Sequence, residues 1–215
     1  SSDLVFSMDG DIAPLDKLYE LSKEYNALLM VDDAHATGVI GNGRGTAHHF
    51  GLTDVDVQLG TLSKALGSVG GYVAGRKELI EYLINYSRSF IFSTALSPAD
   101  IGAGLEALRI IRDEPSVVDT LRDNTVYMAY KLQAMGIDCD DETPIFPIVV
   151  GENNRALTLA RELEERGIII TAIRPPTVPV GESRLRMTVT AAHSKEQLDY
   201  VAQTLHELLV DMNIH

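Results

Sequence analysis

Lys64 is the only charged side chain between Asp56 and Arg76, and it stands among small and apolar residues, Gly60-Thr61-Leu62-Ser63-Lys64-Ala65-Leu66-Gly67. Desolvation lowers a lysine's pKa and frees the neutral amine as a nucleophile, and glycines let backbone approach a ligand closely. The chemistry this suggests is a Schiff base with an aldehyde or ketone. The plain alternative is a surface-loop lysine, which is what most lysines are. Upstream, the apolar run Ala27-Leu28-Leu29-Met30-Val31 ends abruptly in Asp32-Asp33-Ala34-His35. Such a run reads as a strand buried on both faces of a parallel sheet, and open α/β sheets bind ligands beyond the carboxyl ends of their strands. Two carboxylates and an imidazole therefore fall where a ligand belongs. A buried aspartate there needs a positive partner, and a pyridinium nitrogen would be one. Capping of a turn is an alternative for the aspartates, and a metal site is another. The metal reading is weakened because the other histidine cluster, His48-His49, lies in a separate segment where adjacent side chains diverge.

The elements that must position these residues alternate. Asp11 and Pro14 mark a helix start, with Leu15, Leu18, Tyr19, Leu21 and Tyr25 as its apolar stripe. After the strand through Met30 come a glycine-rich turn over 41–45 and a short segment around His48. Strands are expected at 55–59 and 71–75, and a helix from Glu78 to Tyr86. This order predicts an α/β layer with parallel strands. Ser97-Pro98 opens a long helix interrupted at Asp113-Glu114-Pro115. A second long helix runs from Ser116 to Met135 and stops at Gly136. Strands follow at 145–150, 168–173 and 185–190, with a helix over 156–166 and a last helix capped by Ser194. The change of pattern at Pro115 divides the chain into domains 1–114 and 115–215, the second a small α+β domain packed on the first.

In that second half, three prolines in Arg174-Pro175-Pro176-Thr177-Val178-Pro179 predict a stiff, extended segment. Arg184, Arg186, Thr188 and Thr190 alternate with Leu185, Met187 and Val189, which puts the polar set on one strand face. A guanidinium fork suits a carboxylate ligand. For Arg184 an ordinary solvated face is the preferred reading; periodicity alone does not decide Arg186.

Together, Val5-Phe6-Ser7-Met8-Asp9-Gly10, Val31-Asp32-Asp33-Ala34-His35-Ala36-Thr37-Gly38, Asn42-Gly43-Arg44-Gly45 and the segment from Gly60 to Gly67 resemble the α-oxoamine synthases, a fold-type I (aspartate aminotransferase-like) group of pyridoxal-phosphate enzymes. The resemblance runs from residue 3 to residue 210. Ser63 before the lysine and the Arg174–Pro179 segment are most similar to the branch that serves biotin biosynthesis, ahead of the branch that uses glycine as substrate. The resemblance implies a large pyridoxal-phosphate domain with a mainly parallel sheet, represented here by its C-terminal part. It implies that Lys64 holds pyridoxal 5'-phosphate as a Schiff base and later removes a proton, that Asp32 pairs with the ring nitrogen, and that His35 and Ser7 contact the phenolic oxygen. Thr61 would help hold the phosphate. Ser93 and Thr94 would reach it from the neighbouring subunit of a homodimer with a shared site. Arg186 would bind the amino-acid carboxylate and Thr177 would contact substrate. The substrates implied are L-alanine and a pimeloyl thioester, on coenzyme A or a carrier protein. The family also has a glycine turn for the phosphate and a ring-stacking histidine, which are not found here. The chain therefore reads as the C-terminal part of a longer enzyme, with a non-catalytic fragment or assembly subunit as the other class of answer.

The whole composition is consistent with such a protein. At 215 residues, 45% hydrophobic and 6% aromatic, the chain suits a globular fold. A formal net charge of −13 argues against nucleic acid as a main partner, and an anionic substrate must be held by locally placed arginines. Cys139 is alone, so no intrachain disulfide forms, which fits a reducing, cytoplasmic setting. No apolar run approaches membrane-span length and no internal repeat is visible.

Overall fold

The structure, a computed structural model, describes residues 2–214. Its elements in chain order are β1 (Ser2–Asp3), α1 (Leu15–Glu24), β2 (Met30–Asp32), α2 (Thr46–His49), β3 (Val57–Thr61), β4 (Gly71–Gly75), α3 (Lys77–Tyr86), α4 (Arg88–Ile91), α5 (Pro98–Asp113), α6 (Ser116–Gln133), β5 (Ile145–Gly151), α7 (Asn153–Glu164), β6 (Thr171–Ile173), β7 (Ser183–Thr188) and α8 (Lys195–Asp211). They form two compact units. Among the described residues the first comprises 2–6 and 12–118, and the second 7–11 and 119–214.

The first unit is built on a four-stranded sheet in the order β1-β2-β3-β4. β1, β2 and β3 are parallel, with Asp3 opposite Asp32 and Asp32 opposite Leu59. β4 departs from the all-parallel expectation: it returns antiparallel to β3, pairing Gly60 with Tyr72 and Thr61 with Gly71. Residues 62–70 are too few for a parallel crossover, which needs a dozen or more. Leu4, Ala13, Leu15, Val31, Ala47 and Val55 make the core on one side. The expectation that β2 is buried on both faces fails. Val31 is fully buried but Met30 and Leu28 are exposed, because the described residues cover only one face of the strand. The α1 stripe is likewise narrower than its periodicity suggests, with Leu15 buried and Leu21 and Tyr25 exposed. α5 begins as its sequence dictates: Ser97 accepts the Asp100 amide hydrogen and Pro98 occupies the first turn, a cap contributing about 1 kcal/mol.

The second unit carries an antiparallel sheet in the order β5-β7-β6. Phe146, Ile148, Leu185 and Met187 line one face and pack on α6, α7 and α8 through Met128, Leu132, Leu159, Leu163, Leu198 and Leu205. Ser194 and Gln197 close a reciprocal capping box on α8. Buried Asn124 donates to the carbonyls of Thr190 and His193 at 3.0 and 2.8 Å, satisfying the turn that follows β7. The proline segment is not extended: the Thr177 amide donates to the Arg174 carbonyl at 3.0 Å, closing a turn that contains the cis Pro175–Pro176 bond.

Candidate active site

β2 and β3 run parallel, so their carboxyl ends reach the same edge of the sheet. Asp32 ends β2, and one of its carboxylate oxygens, Oδ1, accepts the Ala34 amide hydrogen at 2.8 Å. The turn-capping role is therefore real and occupies that oxygen; Oδ2 has no partner among the described residues. The next amide, of Asp33, donates to the Leu59 carbonyl at 2.7 Å, carrying the ladder past the strand end. The Asp33 carbonyl then accepts from Ala36 and Thr37, both at 2.9 Å, winding the chain into the turn that holds half-buried His35.

On β3, Gly60 has no side chain because Tyr72, its cross-strand neighbour, lies over it. A Cβ at Gly60 would sit 2.4 Å from the tyrosine hydroxyl oxygen. That hydroxyl shares a 2.8 Å hydrogen bond with Thr37 Oγ1, so the β3–β4 pair braces the His35 turn from behind. Sequence reasoning missed both Tyr72 and Thr37; a glycine facing an aromatic across a hairpin was the available signal.

Thr61, at the end of β3, donates from Oγ1 to the Gly70 carbonyl at 2.9 Å, lies 2.8 Å from Ser63 Oγ, and accepts the Ser63 amide hydrogen at 3.2 Å. The Lys64 carbonyl accepts from the Gly67 amide at 3.0 Å, so Lys64 begins a tight turn that Gly67 completes at φ +61°. Ser68 anchors this loop to α5 by donating to the Asp100 carbonyl at 2.6 Å. The expected shelter for the lysine is not formed by these residues: Lys64 is exposed, since nothing among the described residues of this unit covers its turn. Asp32, His35, Thr61 and Lys64 thus gather at one sheet edge. Ser93 and Thr94 lie apart from this edge in sequence, on the exposed stretch after α4.

Ser7, Thr177 and Arg186 belong to the second unit. Arg186 is half-buried; its Nε donates to the Ser7 carbonyl and its Nη1 to Thr188 Oγ1 at 3.2 Å. Burial lowers its pKa, though a guanidinium stays charged at physiological pH. These two bonds fix the fork and leave Nη2 without a partner among the described residues, an arrangement able to take an anionic oxygen. Thr177 is exposed at its turn. Arg184 corrects the solvated-face reading. It is 4% exposed, ion-paired with Asp9 and with Glu182 at 3.0 Å, and it donates from Nε to the Glu182 carbonyl at 3.1 Å. The polar face of β7 is covered by Ser7–Asp11, which Thr143 also holds through a 2.7 Å bond to the Gly10 carbonyl. A cavity of about 320 Å³ opens in this unit beside Met128, Ile170, His193 and Tyr200, and none of the expected site residues lines it.

Asp32 and the Lys64 turn leave the same ends of neighbouring parallel strands, and the carboxylate, imidazole, hydroxyl and amine of Asp32, His35, Thr61 and Lys64 are the group types that would hold a protonated heteroaromatic aldehyde phosphate. A sequence model of the family Aminotransferase class I and II matches residues 3–205, and the chain belongs to that family. Its α/β architecture is that of the fold-type I pyridoxal-phosphate enzymes. Among curated proteins it is similar to the 8-amino-7-oxononanoate synthase of Lysinibacillus sphaericus, 50% identical over 216 residues that cover 99% of this chain and 56% of that protein. Among solved structures it is similar to the 8-amino-7-oxononanoate synthase of Francisella tularensis, with TM-score 0.85, 28% identity, and coverage of 99% of this chain and 63% of that one. A serine palmitoyltransferase from S. paucimobilis with a bound PLP–myriocin aldimine gives TM-score 0.93 at 28% identity, covering 98% of this chain and 54% of that one. The chain spans about half the length of the curated relatives it matches.

Proposed function

We propose that this chain carries the catalytic lysine and acid of an 8-amino-7-oxononanoate synthase, a pyridoxal-phosphate-dependent acyltransferase of biotin biosynthesis. It would condense L-alanine with pimeloyl-CoA, or pimeloyl-acyl carrier protein, and release carbon dioxide and the thiol carrier. The observation that carries this reading is the register of β2 and β3: Asp32 and the turn of Lys64 leave the same ends of neighbouring parallel strands. Residues 1–114 would be the C-terminal part of the cofactor-binding large domain, and 115–215 the small domain.

Lys64 Nζ would hold the cofactor covalently, be released by the amine of alanine, and then accept the proton from its Cα. The cofactor, when bound, supplies an electron sink for the charge left on that carbon. Asp32 would hold the ring nitrogen protonated, with Oδ1 already steadied by the Ala34 amide. His35 and Ser7 would hydrogen-bond the phenolic oxygen. Thr61 would serve the phosphate, joined by Ser93 and Thr94 from the second copy of a homodimer. Arg186 would bind the alanine carboxylate through the Nη2 edge that Ser7 and Thr188 leave open, and Thr177 would border the acyl substrate. Exposed Tyr82, Tyr86, Phe90, Phe92, Ile101 and Leu105 on the first unit support an assembled, dimeric form, since apolar surface of this extent is a liability in a lone chain. We place the protein in the cytoplasm, in keeping with its one unpaired cysteine; among the described residues no helix is long and apolar enough to cross a membrane.

Incubating the holoenzyme with a pimeloyl thioester and either L-alanine or glycine, with mass analysis of the product, tests the reading. It expects 8-amino-7-oxononanoate from alanine. Preference for glycine would move the protein to the glycine-using branch of the family. Absence of turnover with cofactor bound would make it a non-catalytic member.

A further inference from the structure

Arg184 and Arg186 stand two residues apart on β7, so they share a face, yet their partners differ in kind. Buried Arg184 takes two carboxylates: it is ion-paired with Asp9 and, at 3.0 Å, with Glu182, and its Nε donates to the Glu182 carbonyl at 3.1 Å. Arg186 is in no ion pair among the described residues, and its bonds go to neutral oxygens, the Ser7 carbonyl and Thr188 Oγ1 at 3.2 Å. Ser7 and Asp9 lie on one strap, the segment 7–11. That strap is not a strand of either sheet; side-chain bonds seat it. The Asp9 carboxylate is held by Arg184, the Gly10 carbonyl accepts from the Thr143 hydroxyl at 2.7 Å, and the Ser7 carbonyl accepts from Arg186. At Gly10, with φ +85°, the strap passes so close to β5 that a Cβ would lie 2.5 Å from the Ile145 carbonyl oxygen.

We propose that Arg184 is a positioning residue for Arg186. By gripping Asp9 it seats the strap, and the seated strap presents the Ser7 carbonyl that fixes the Arg186 guanidinium with Nη2 open. Arg184 touches no substrate in this scheme; it acts through Asp9, the strap and the Ser7 carbonyl. An arginine side chain loses much rotamer freedom when it is ordered, and a fork ordered in advance removes that cost from ligand binding. The role of Arg184 in the reaction rests on the proposed function, in which Arg186 binds the amino-acid carboxylate.

The Asp9 side chain is half exposed, and Arg184 keeps Glu182 when Asp9 is lost, so Asp9→Ala frees the strap without leaving a buried charge unpaired. In steady-state kinetics of the holoenzyme against alanine, Asp9→Ala should raise KM about 3- to 10-fold with kcat within about twofold of wild type, a size typical of coupled neighbours. In the Arg186→Lys background the same substitution should add less than about twofold, because the arginine it acts through is already gone. An unchanged KM in Asp9→Ala, a loss carried by kcat, or an equal rise in the Arg186→Lys background would each overturn the proposal. Chymotrypsin cutting after Phe6, which is 39% exposed, needs no turnover and can be mapped by mass on the holoenzyme. Asp9→Ala should be cut there several-fold faster than wild type as the strap opens, and equal rates would also overturn the proposal. If Arg186→Lys left KM for alanine unchanged, the carboxylate role in the proposed function would fail, while the cutting rates still decided whether Asp9 seats the strap.

Discussion

At the scale of single residues, the account divides labour between an amine and an acid at neighbouring strand ends. Lys64→Ala is expected to lower kcat by about 10²–10⁴-fold or more, since proton transfer by a positioned side chain contributes that much, and to abolish the covalent cofactor absorbance. Lys64→Arg keeps the charge and is expected to lose the absorbance equally. Arg186→Lys is expected to raise KM for alanine by roughly 10- to 100-fold with kcat little changed, because a lysine lacks the planar fork for a carboxylate. Steady-state kinetics against alanine concentration would separate the two effects. Lys64 and Asp32 could be found in the sequence because each interrupts an apolar stretch with a charge that needs a reason. Arg184 could not. Alternation along β7 tells which side chains share a face but not what covers that face, and its cover includes Asp9, 175 residues away.

At the scale of elements, the site edge is shaped by backbone positions that tolerate no side chain. Gly60→Ala would drive a methyl into Tyr72, strain the Tyr72–Thr37 hydrogen bond and shift the His35 turn. Overpacking of this kind is expected to cost about 1–3 kcal/mol. Gly67→Ala meets nothing within 4 Å and suffers only from its φ of +61°, a conformational penalty of about 1–2 kcal/mol. Denaturant unfolding should show both losses, with the cofactor environment changed only in Gly60→Ala. Most elements were legible from periodicity and caps: α5 and α8 start at the serines that cap them, and β5 lies where its apolar run predicts. The errors have physical causes. β2 is shorter and less covered than its apolar run suggests, because hydrophobic residues on an open face look the same in sequence as those on a packed one. The direction of β4 was knowable from the short 62–70 loop but not from strand pattern.

At the scale of the whole molecule, stability is carried separately by two cores. In the second unit Leu159 is fully buried and Ile169 is 86% exposed. Leu159→Ala is expected to cost about 2–5 kcal/mol and Ile169→Ala to stay within about 0.5 kcal/mol, as read by chemical denaturation. The first unit has a thinner core and a broad exposed apolar surface over α3 to α5. The net charge of −13 favours solubility and gives no long-range attraction for anionic substrates, so under the proposed function capture of a substrate carboxylate would fall to Arg186 at short range.

Borohydride reduction of the cofactor-loaded protein, followed by peptide mapping, tests the central claim most directly. The account predicts one pyridoxyl adduct, on the peptide containing Lys64, and none in Lys64→Ala. A stable adduct on another lysine, or loading and turnover that survive Lys64→Ala, would contradict it.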